Sequence, residues 1–401
     1  MNNLNSVFTD LSIDSKKVFD IILKQGPITK NEILNLTNMK LTTLNRFADP
    51  LESLNLIVES GIGDSSGVRK PTLYDVKADC FYIVGIDISR TYAQVVLVNM
   101  KMEIVFKERL VMDETSSPQN TVDILSKIIL KALSLFNIPL EKILGMGIGV
   151  VGPIDREQGN IKNPVNFYSN DWVNVPIISM FEAKFKLPVF IDNGANTAVL
   201  AEYIFGAGKG LKNIAYFNCG VGIRTGAITS GIITRSINDG EDAFGHMVID
   251  VDGDLCSCGN YGCIECYSSI ISITKKFTSE IKKGRSTNII KPLNEISYKD
   301  ITKAAMEGDP LSKEIIAGAA GILGTGLANY INLLNPHMVI LSGTLIKNSD
   351  MFYRISTEVA SKKNFLAGHK TVFFSNGGNF GEDAISIGAA ALVVENILNW
   401  R

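Results

Sequence analysis

One short loop constrains this chain more than any other feature, because four of its six cysteines lie between Cys256 and Cys266. Three of them follow the pattern Cys-x-Cys-Gly-x-x-Gly-Cys, and a histidine stands upstream. One imidazole and three thiolates make a closed tetrahedral set that suits structural zinc, whereas a cluster of small buried thiols is the alternative. In a reducing compartment such density favours metal over disulfides. We predict zinc bound by four residues: His246, Cys256, Cys258 and Cys263.

The composition indicates a soluble α/β protein with more than one domain. A chain of 401 residues exceeds one ordinary hydrophobic core, so two or three domains are expected. Hydrophobic residues at 46%, charged residues at 20% and 35 glycines fit strands and helices joined by tight turns. Residues 1–10 lack the features of a signal peptide, and no window approaches the roughly 20 apolar residues of a membrane span. We expect a cytoplasmic protein with no membrane partner.

The first 80 residues have the pattern of a winged helix-turn-helix. An apolar block predicts a helix over residues 12–24. Thr29 followed by Glu32 forms a capping box that opens a second helix, and a third begins at about Leu41. Two short strands are expected around the glycine- and serine-rich residues 61–67, which would form the wing.

The third helix is the predicted DNA-reading element. It should bury Leu44 and Phe47, and Pro50 should kink or split it. The apolar face of the second helix should consist of Ile33, Leu34 and Leu36, and the core should be completed by Leu51, Leu54, Leu56 and Ile57. The predicted DNA contacts on the helix and the wing are Lys40, Thr42, Thr43, Asn45, Arg46, Arg69 and Lys70.

Charge alone gives this segment little attraction to DNA. Residues 1–80 hold nine Lys and Arg against ten Asp and Glu, a net charge of −1, and the whole chain carries −2. Attraction to phosphate must therefore come from the local basic patch on the helix and wing. The alternative is a small helical module that binds another protein.

The rest of the chain alternates strands and helices. A hairpin is expected from residues 81–87 and 93–98, followed by a strand at 104–111 and an amphipathic helix at 121–136. Residues 143–150 are nearly all apolar, as in a strand buried on both faces. Two stacked α/β lobes are the natural arrangement. Further strands are predicted near residues 189–191, 214–217, 226–229 and 338–341.

Several phrases together resemble the ROK family, which contains repressors and sugar kinases. The resemblance covers nearly the whole chain, and its most specific part is the cysteine signature. It implies a winged helix-turn-helix followed by the two-lobed actin-like ATPase fold of the ROK sugar kinases, an α/β fold. The matching phrases are residues 66–71, 149–155, 192–196, 200–202, 245–247, 256–265 and 381–384.

The resemblance also implies what a kinase of this family requires. A carboxylate beside the sugar hydroxyl accepts its proton, and in the family this is the Asp after the Asn of the active-site strand. Here that position is Gly194. Asp192 lies two residues earlier, about 7 Å away along a strand, which is too far to replace the missing base.

The phosphate-binding parts are altered as well. The family's Asp-x-Gly-Gly-Thr hairpin is written here as residues 87–91, with Ser89 and Arg90 in place of the glycines. Their side chains crowd the approach of phosphate to the backbone amides. A second loop at residues 220–226 carries Val221 and Arg224 instead of a hydroxyl and a glycine. Residues 342–344 keep one glycine of the usual run near the adenosine position.

The sugar pocket that the resemblance implies is partly retained. The family places a glutamate where this chain has Ala243, and Glu241 is two residues out of register. In the family, the histidine at the position of His246 binds zinc through one ring nitrogen and the sugar through the other. An empty scaffold used only for dimerisation is the alternative. The predicted sugar contacts are Asn193, His246 and Glu265.

These features favour a repressor that binds operator DNA as a homodimer, or as a dimer of dimers, and senses a sugar or sugar phosphate. An ATP-dependent sugar kinase is the main alternative, and a scaffold that recognises another protein is a third. The predicted domains are residues 1–80 for DNA binding, 81–198 completed by about 381–401 for the first lobe, and 199–380 for the second lobe.

Overall fold

The computed structural model describes residues 5–62, 71–235, 243–365 and 371–398. The chain divides into two compact units. The first unit contains Met1–Thr197 and Ile385–Arg401, and the second unit contains Ala198–Ala384. The two units do not test the predicted division into three domains, which stays a prediction.

The N-terminal part of the first unit is a helical module with a small antiparallel sheet, as the sequence predicts. The strands are ordered β1-β3-β2, and β1, two residues long, was not expected from the sequence. Residues 63–70, the predicted wing tip with Arg69 and Lys70, lie outside the described residues. The elements are α1 (Asn5–Thr9), α2 (Ile13–Gln25), β1 (Ile28–Thr29), α3 (Lys30–Thr37), α4 (Leu41–Ser53), β2 (Ile57–Ile62) and β3 (Thr72–Val76).

The predicted capping box opens α3. The hydroxyl of Thr29 accepts a hydrogen bond from the backbone N–H of Glu32 at 3.2 Å. In return, the Glu32 carboxylate accepts from the backbone N–H of Thr29 at 2.8 Å and from its hydroxyl at 2.7 Å. These bonds to Thr29 lower the pKa of Glu32. The ionised Glu32 carboxylate therefore stabilises the module at pH values above the ordinary carboxyl pKa. This stabilisation is lost as the pH falls through the lowered pKa of Glu32.

Four expectations for this module need correction. Of the expected kink or split at Pro50, the split does not occur, because α4 runs through Pro50 to Ser53. Leu36 and Leu54 are exposed, at 52% and 46%, rather than buried in the core. The helices turn these leucines outward, and the small core is completed by other side chains, among them Phe8, which packs on a neighbouring ring with centroids 5.3 Å apart. Leu44 is buried as predicted, whereas Phe47 is half-buried.

A five-stranded mixed sheet forms the rest of the first unit, in the order β10-β7-β4-β5-β6. The hairpin β4–β5 is antiparallel, and β7 lies parallel to both β4 and β10. Each predicted strand in this region is present. The elements are β4 (Tyr82–Ile88), β5 (Tyr92–Asn99), β6 (Ile104–Val111), α5 (Pro118–Leu135), β7 (Ile143–Val150), β8 (Ile154–Asp155), β9 (Asn160–Ile161), α6 (Ile177–Phe185), β10 (Val189–Asn193) and α7 (Gly194–Phe205).

The second unit is built on another five-stranded sheet, in the order β13-β12-β11-β14-β15. Its core includes the rings of Phe217, Phe244 and Tyr330, which meet edge to face at 4.6 to 6.0 Å. The elements are β11 (Ile214–Cys219), β12 (Ile223–Thr229), β13 (Ile232–Ile233), α8 (Glu265–Ser268), α9 (Ile270–Lys282), α10 (Tyr298–Met306), α11 (Pro310–Leu334), β14 (Met338–Ser342), α12 (Thr344–Lys347), α13 (Asp350–Lys363) and β15 (Phe373–Asn376). The last helix, α14 (Ala384–Ile397), belongs to the first unit from Ile385 onward.

The C-terminal helix α14 packs on the sheet of the first unit at very short range. A Cβ added at Gly85 would lie 1.9 Å from the carbonyl oxygen of Ser386, and one added at Gly147 would lie 1.7 Å from that of Ala389. Only glycine leaves room for the helix backbone here. The side chain of Gln94 also donates to the Ser386 hydroxyl at 2.9 Å.

The helix α11 departs from the expectation that no window resembles a membrane span. Pro310–Leu334 is long and apolar enough to cross a membrane by length and composition, with a mean hydropathy of 1.2. However, 56% of its window is buried inside the protein. Its buried face, including Leu323 and Leu327, belongs to the core of the second unit. Core helices of soluble proteins pass the same test, so this feature is weak support for a span.

Candidate functional site

The four predicted metal ligands converge in the second unit. One ligand atom from each of the four residues lies within 4.8 Å of all the others. Nδ1 of His246 is 3.5 Å from Sγ of Cys256, and Sγ of Cys258 is 3.8 Å from Sγ of Cys263. One nitrogen and three sulfurs at this spacing fit a metal ion.

Backbone hydrogen bonds shape the loop that holds the cluster. The backbone N–H of Cys256 donates to the carbonyl of Asn260 at 2.7 Å, and that of Gly259 donates back to Cys256 at 3.0 Å. Gly262 has a φ of +70°, and a Cβ there would lie 1.6 Å from the carbonyl oxygen of Asp250. Gly259 has a φ of +88°, so the turn favours glycine there, and Gly262 is required by both its backbone conformation and the close approach of the chain.

The thiols resist ionising together. Burial opposes ionisation of Cys256, but hydrogen bonds from Cys258 and His246 outweigh it and lower the pKa of Cys256 to about 7. Burial, together with the neighbouring thiols of Cys256 and Cys258, raises the pKa of Cys263 to about 12. One thiolate forms readily and a second is opposed by the first. A divalent cation would remove that conflict, because it neutralises the adjacent thiolates.

Glu265 lies at the edge of the altered loop at residues 220–226. Its carboxylate accepts a hydrogen bond from the backbone N–H of Ile223 at 2.9 Å. A Cβ on Gly222 would meet the same carboxylate at 2.7 Å and Nη1 of Arg224 at 2.8 Å. The backbone amide of Ile223 is therefore already bonded to a protein carboxylate. Arg224 is buried where the family resemblance implies a glycine.

Two carboxylates of the first unit are engaged by side chains that the sequence reasoning missed. The hydroxyl of Tyr92 donates to Asp87 at 2.7 Å. Asp192 accepts from the side-chain amide of Asn196 at 3.0 Å and lies 3.6 Å from Nε of Arg156. Both aspartates are almost fully buried. Asp192 is therefore already engaged by an amide and a guanidinium, which leaves it poorly placed to replace the missing base.

The remaining predicted positions of the first unit are also defined. Gly194 is the first residue of α7 and directly follows Asn193 at the end of β10. Asn193 is 1% exposed, and its side-chain oxygen accepts from the backbone N–H of Ala195 at 3.0 Å. Nε of the buried Arg90 donates to the carbonyl of Val165 at 2.8 Å. The altered hairpin is thus tied to its own unit through a side chain.

The predicted sugar contacts are divided between the units. Asn193 belongs to the first unit, whereas His246 and Glu265 belong to the second and are both half-buried. Ala243 is exposed, and Glu241 lies outside the described residues.

The predicted DNA-reading helix presents most of its proposed contacts. Lys40 immediately precedes α4 and makes no capping hydrogen bond. Thr42 and Arg46 are exposed, and Thr43 and Asn45 are half-buried. The Arg46 guanidinium lies 4.8 Å from the ring centroid of Phe47. Stacking on that ring holds the cation at the surface of the helix.

The comparison with known proteins now identifies the family. The model of the ROK family matches residues 83–396. The chain belongs to the ROK family. The xylose repressor of Caldicellulosiruptor bescii is 30% identical to this ROK-family chain over 393 residues, which is 97% of each protein. The similarity therefore includes the N-terminal module as well as the ROK region.

Solved structures show the same fold. A ROK family transcriptional regulator, described as a homologue of the Escherichia coli MLC protein, matches 97% of this chain and 96% of its own, with a TM-score of 0.78 and 22% identity. A ROK glucokinase from Streptomyces griseus matches 78% of this chain and 98% of its own, with a TM-score of 0.65 and 24% identity. The predicted actin-like ATPase fold is confirmed, and the helices and three-stranded sheet that precede it are consistent with the predicted winged helix-turn-helix.

Proposed function

We propose that this ROK-family chain is a sugar-responsive transcriptional repressor that binds operator DNA as a homodimer and has no kinase activity. The observation that carries the proposal is the match to a xylose repressor over 97% of both chains. The ROK glucokinase matches only 78% of this chain, and kinase activity would give the N-terminal module no role. DNA binding is supported by the order of elements in residues 5–76, which contain a first helix, a capping box, the predicted reading helix and paired β-strands.

The proposal is tested first by operator binding. Arg46→Ala is expected to weaken affinity about three- to tenfold and to reduce the slope of log affinity against log salt by about one, because one phosphate contact is lost. Affinity should be measured by fluorescence anisotropy at several salt concentrations. Arg354→Ala is the matched control, since this exposed arginine of the second unit pairs with Glu358 at 3.0 Å. Equal affinity for both variants would contradict this placement of the DNA surface.

We further propose that the effector is a sugar or sugar phosphate contacted by Asn193, His246 and Glu265. Glu265→Gln should reduce effector affinity about tenfold or more, because a carboxylate accepts stronger hydrogen bonds from sugar hydroxyls than an amide does. A thermal-shift series with xylose, glucose, N-acetylglucosamine and their phosphates would identify the effector and measure the loss. Glu358→Gln, on the exposed face of α13, is the control. A sugar that stabilises both variants equally would place the effector elsewhere.

The metal is proposed to be zinc with a structural role. A closed set of three thiolates and one imidazole leaves no open position for a substrate. The Cys256–Asn260 turn and the ligand cluster form one compact loop, so that metal and loop are expected to stabilise each other.

A sugar kinase is the second candidate, favoured by the likeness of the fold to the Streptomyces griseus glucokinase. That likeness concerns the scaffold alone. Gly194 provides no proton acceptor, and Asp192 is held beside Arg156. The side chains of Ser89 and Arg90 stand where glycines would admit phosphate. These features favour a sensor over an enzyme.

A further inference from the structure

An ion pair joins the N-terminal module to the five-stranded sheet of the first unit. Nζ of Lys101, in the turn between β5 and β6, donates to the carboxylate of Asp75 on β3 at 2.6 Å. The other oxygen of this carboxylate accepts from the backbone N–H of Val76 at 2.7 Å. Asp75 is only 7% exposed. Because the carboxylate is shielded from solvent, salt screens this pair less than it screens an exposed pair.

The turn that carries Lys101 is stabilised by its own hydrogen bonds. The side-chain oxygen of Asn99 accepts from the backbone N–H of Lys101 at 2.9 Å and from that of Glu103 at 3.1 Å. The side-chain amide of Asn99 also donates to the Glu103 carboxylate at 2.7 Å. Met100 and Met102, on either side of Lys101, are buried. The backbone that presents the ammonium is therefore fixed in place.

The segment between β3 and β4 is short and is hydrogen-bonded to both parts of the unit. Residues 77–81 alone separate the end of β3 from the start of β4. The backbone N–H of Lys77 donates to the carbonyl of Leu56 in the module at 3.0 Å. The carbonyl of Ala78 accepts from the backbone N–H of Met100, in the β5–β6 turn, at 3.0 Å. This segment is therefore an ordered connection, unlike a flexible linker.

Aromatic packing crosses the same junction. The ring centroid of Phe8 on α1 lies 5.3 Å from that of Phe19 on α2 and 5.9 Å from that of Phe81, the residue before β4. All three side chains are buried. Rings at this spacing are in direct contact. The first helix thus packs on the module and on the start of the sheet at once.

We infer that Asp75 and Lys101 fix the orientation of the N-terminal module on the first unit, and that this orientation determines which spacing of operator half-sites the homodimer accepts. Both are positioning residues, since neither is among the predicted DNA contacts. Two rigidly held modules reach two half-sites together only at one separation and one rotation around the DNA axis. The inference rests on the proposed function as a dimeric DNA-binding repressor.

The test uses the full chain and an operator selected from a random duplex library. Fluorescence anisotropy compares duplexes with zero to four base pairs inserted between the half-sites, and a duplex with one half-site measures binding by one module. Each inserted base pair rotates one half-site by about 35°, since about 10 base pairs make one turn. For wild-type protein, two inserted base pairs should reduce affinity about tenfold or more, because the second module no longer reaches its half-site.

Lys101→Met should reduce this loss of affinity to about threefold or less, while affinity for the single half-site stays within about twofold of wild type. Lys101→Arg keeps a cation that can donate to Asp75, and it should keep the wild-type loss. Lys184→Met is the matched control, because Lys184 on α6 pairs with Asp123 on α5 at 2.7 Å within the same unit. It should also behave as wild type.

A second variant avoids the risk that Lys101→Met leaves a buried carboxylate without its cation. Asp75→Asn removes that charge, and its amide oxygen can still accept from Val76. Its amide N–H groups cannot bond to an ammonium, because both groups are donors. This variant should tolerate inserted base pairs as Lys101→Met does. Melting temperatures and single half-site affinities verify that both variants are folded.

Wild-type protein that binds all spacings equally would overturn the inference, as would a wild-type spacing preference in both Lys101→Met and Asp75→Asn. Loss of single half-site binding in both variants would show that the pair maintains the fold of the module, and it would overturn the inference alone. Absence of any sequence-specific binding by wild-type protein would overturn the proposed function together with it.

Discussion

Replacing Cys258 by serine is expected to abolish stoichiometric zinc binding and to destabilise the second unit. Wild-type protein purified without added metal should contain about one zinc per chain, and the variant almost none. Cys258 is exposed, so the substitution itself removes little packing. The loss of roughly 3 kcal/mol or more of metal-linked stability should lower the melting temperature by roughly 10 °C, at about 2 to 4 °C per kcal/mol for a unit of this size.

The matched control is Cys266→Ser, which makes the same chemical change in α8, directly after the loop and outside the predicted ligand set. Its thiol lies 3.7 Å from the carbonyl oxygen of Asp254 and is partly exposed. Zinc content and melting temperature should stay close to those of the wild-type protein. A chelator should lower the melting temperature of this control and leave that of Cys258→Ser unchanged. Zinc retained in Cys258→Ser, or removed from wild-type protein without loss of stability, would contradict a structural site.

Sugar phosphorylation by the wild-type protein is expected to stay below about 1 s⁻¹, the low end of ordinary enzymes, with glucose, fructose, xylose, mannose and N-acetylglucosamine. Losing the base alone removes on the order of 10² to 10⁴ in rate, and poorly positioned phosphates lose more. Restoring one part should therefore not restore activity. Gly194→Asp is expected to remain inactive in an ATP-coupled assay.

This variant is informative because a Cβ atom can be accommodated at the position with a small shift. A Cβ on Gly194 would meet the flexible side chain of Ile385 at 3.3 Å, so a small shift accommodates it. A melting temperature near that of the wild-type protein would verify the fold, and a ROK glucokinase run in the same assay would verify the detection. Turnover above about 1 s⁻¹ by the wild-type protein would favour the kinase instead. Asp192→Asn would then test the nearest carboxylate as the base.

Much of the fold follows from local patterns along the chain. The apolar runs at β4, β5, β7, β11 and β14 are found where alternation and hydrophobicity predict them. The capping box at Thr29 marks the start of α3, because its bonds join residues three apart. Exposure is less predictable: Leu36 and Leu54 face outward because the contacts that would bury them depend on the angle between helices. The charge-free part of α11 has the length and composition of a membrane span, although 56% of it is buried inside the protein.

The sequence by itself indicated the family and four candidate metal ligands, because the spacing of one histidine and three cysteines is specific, and the ligand atoms of these four residues lie together in the structure. Only the tertiary structure paired Lys30 with Asn45 and Arg156 with Asp192. Lys30 and Asn45 lie fifteen residues apart, and Arg156 is still farther from Asp192. Spacing along a chain fixes contacts within one turn or one hairpin. Contacts between separate elements are fixed by how those elements pack, and no local pattern encodes that.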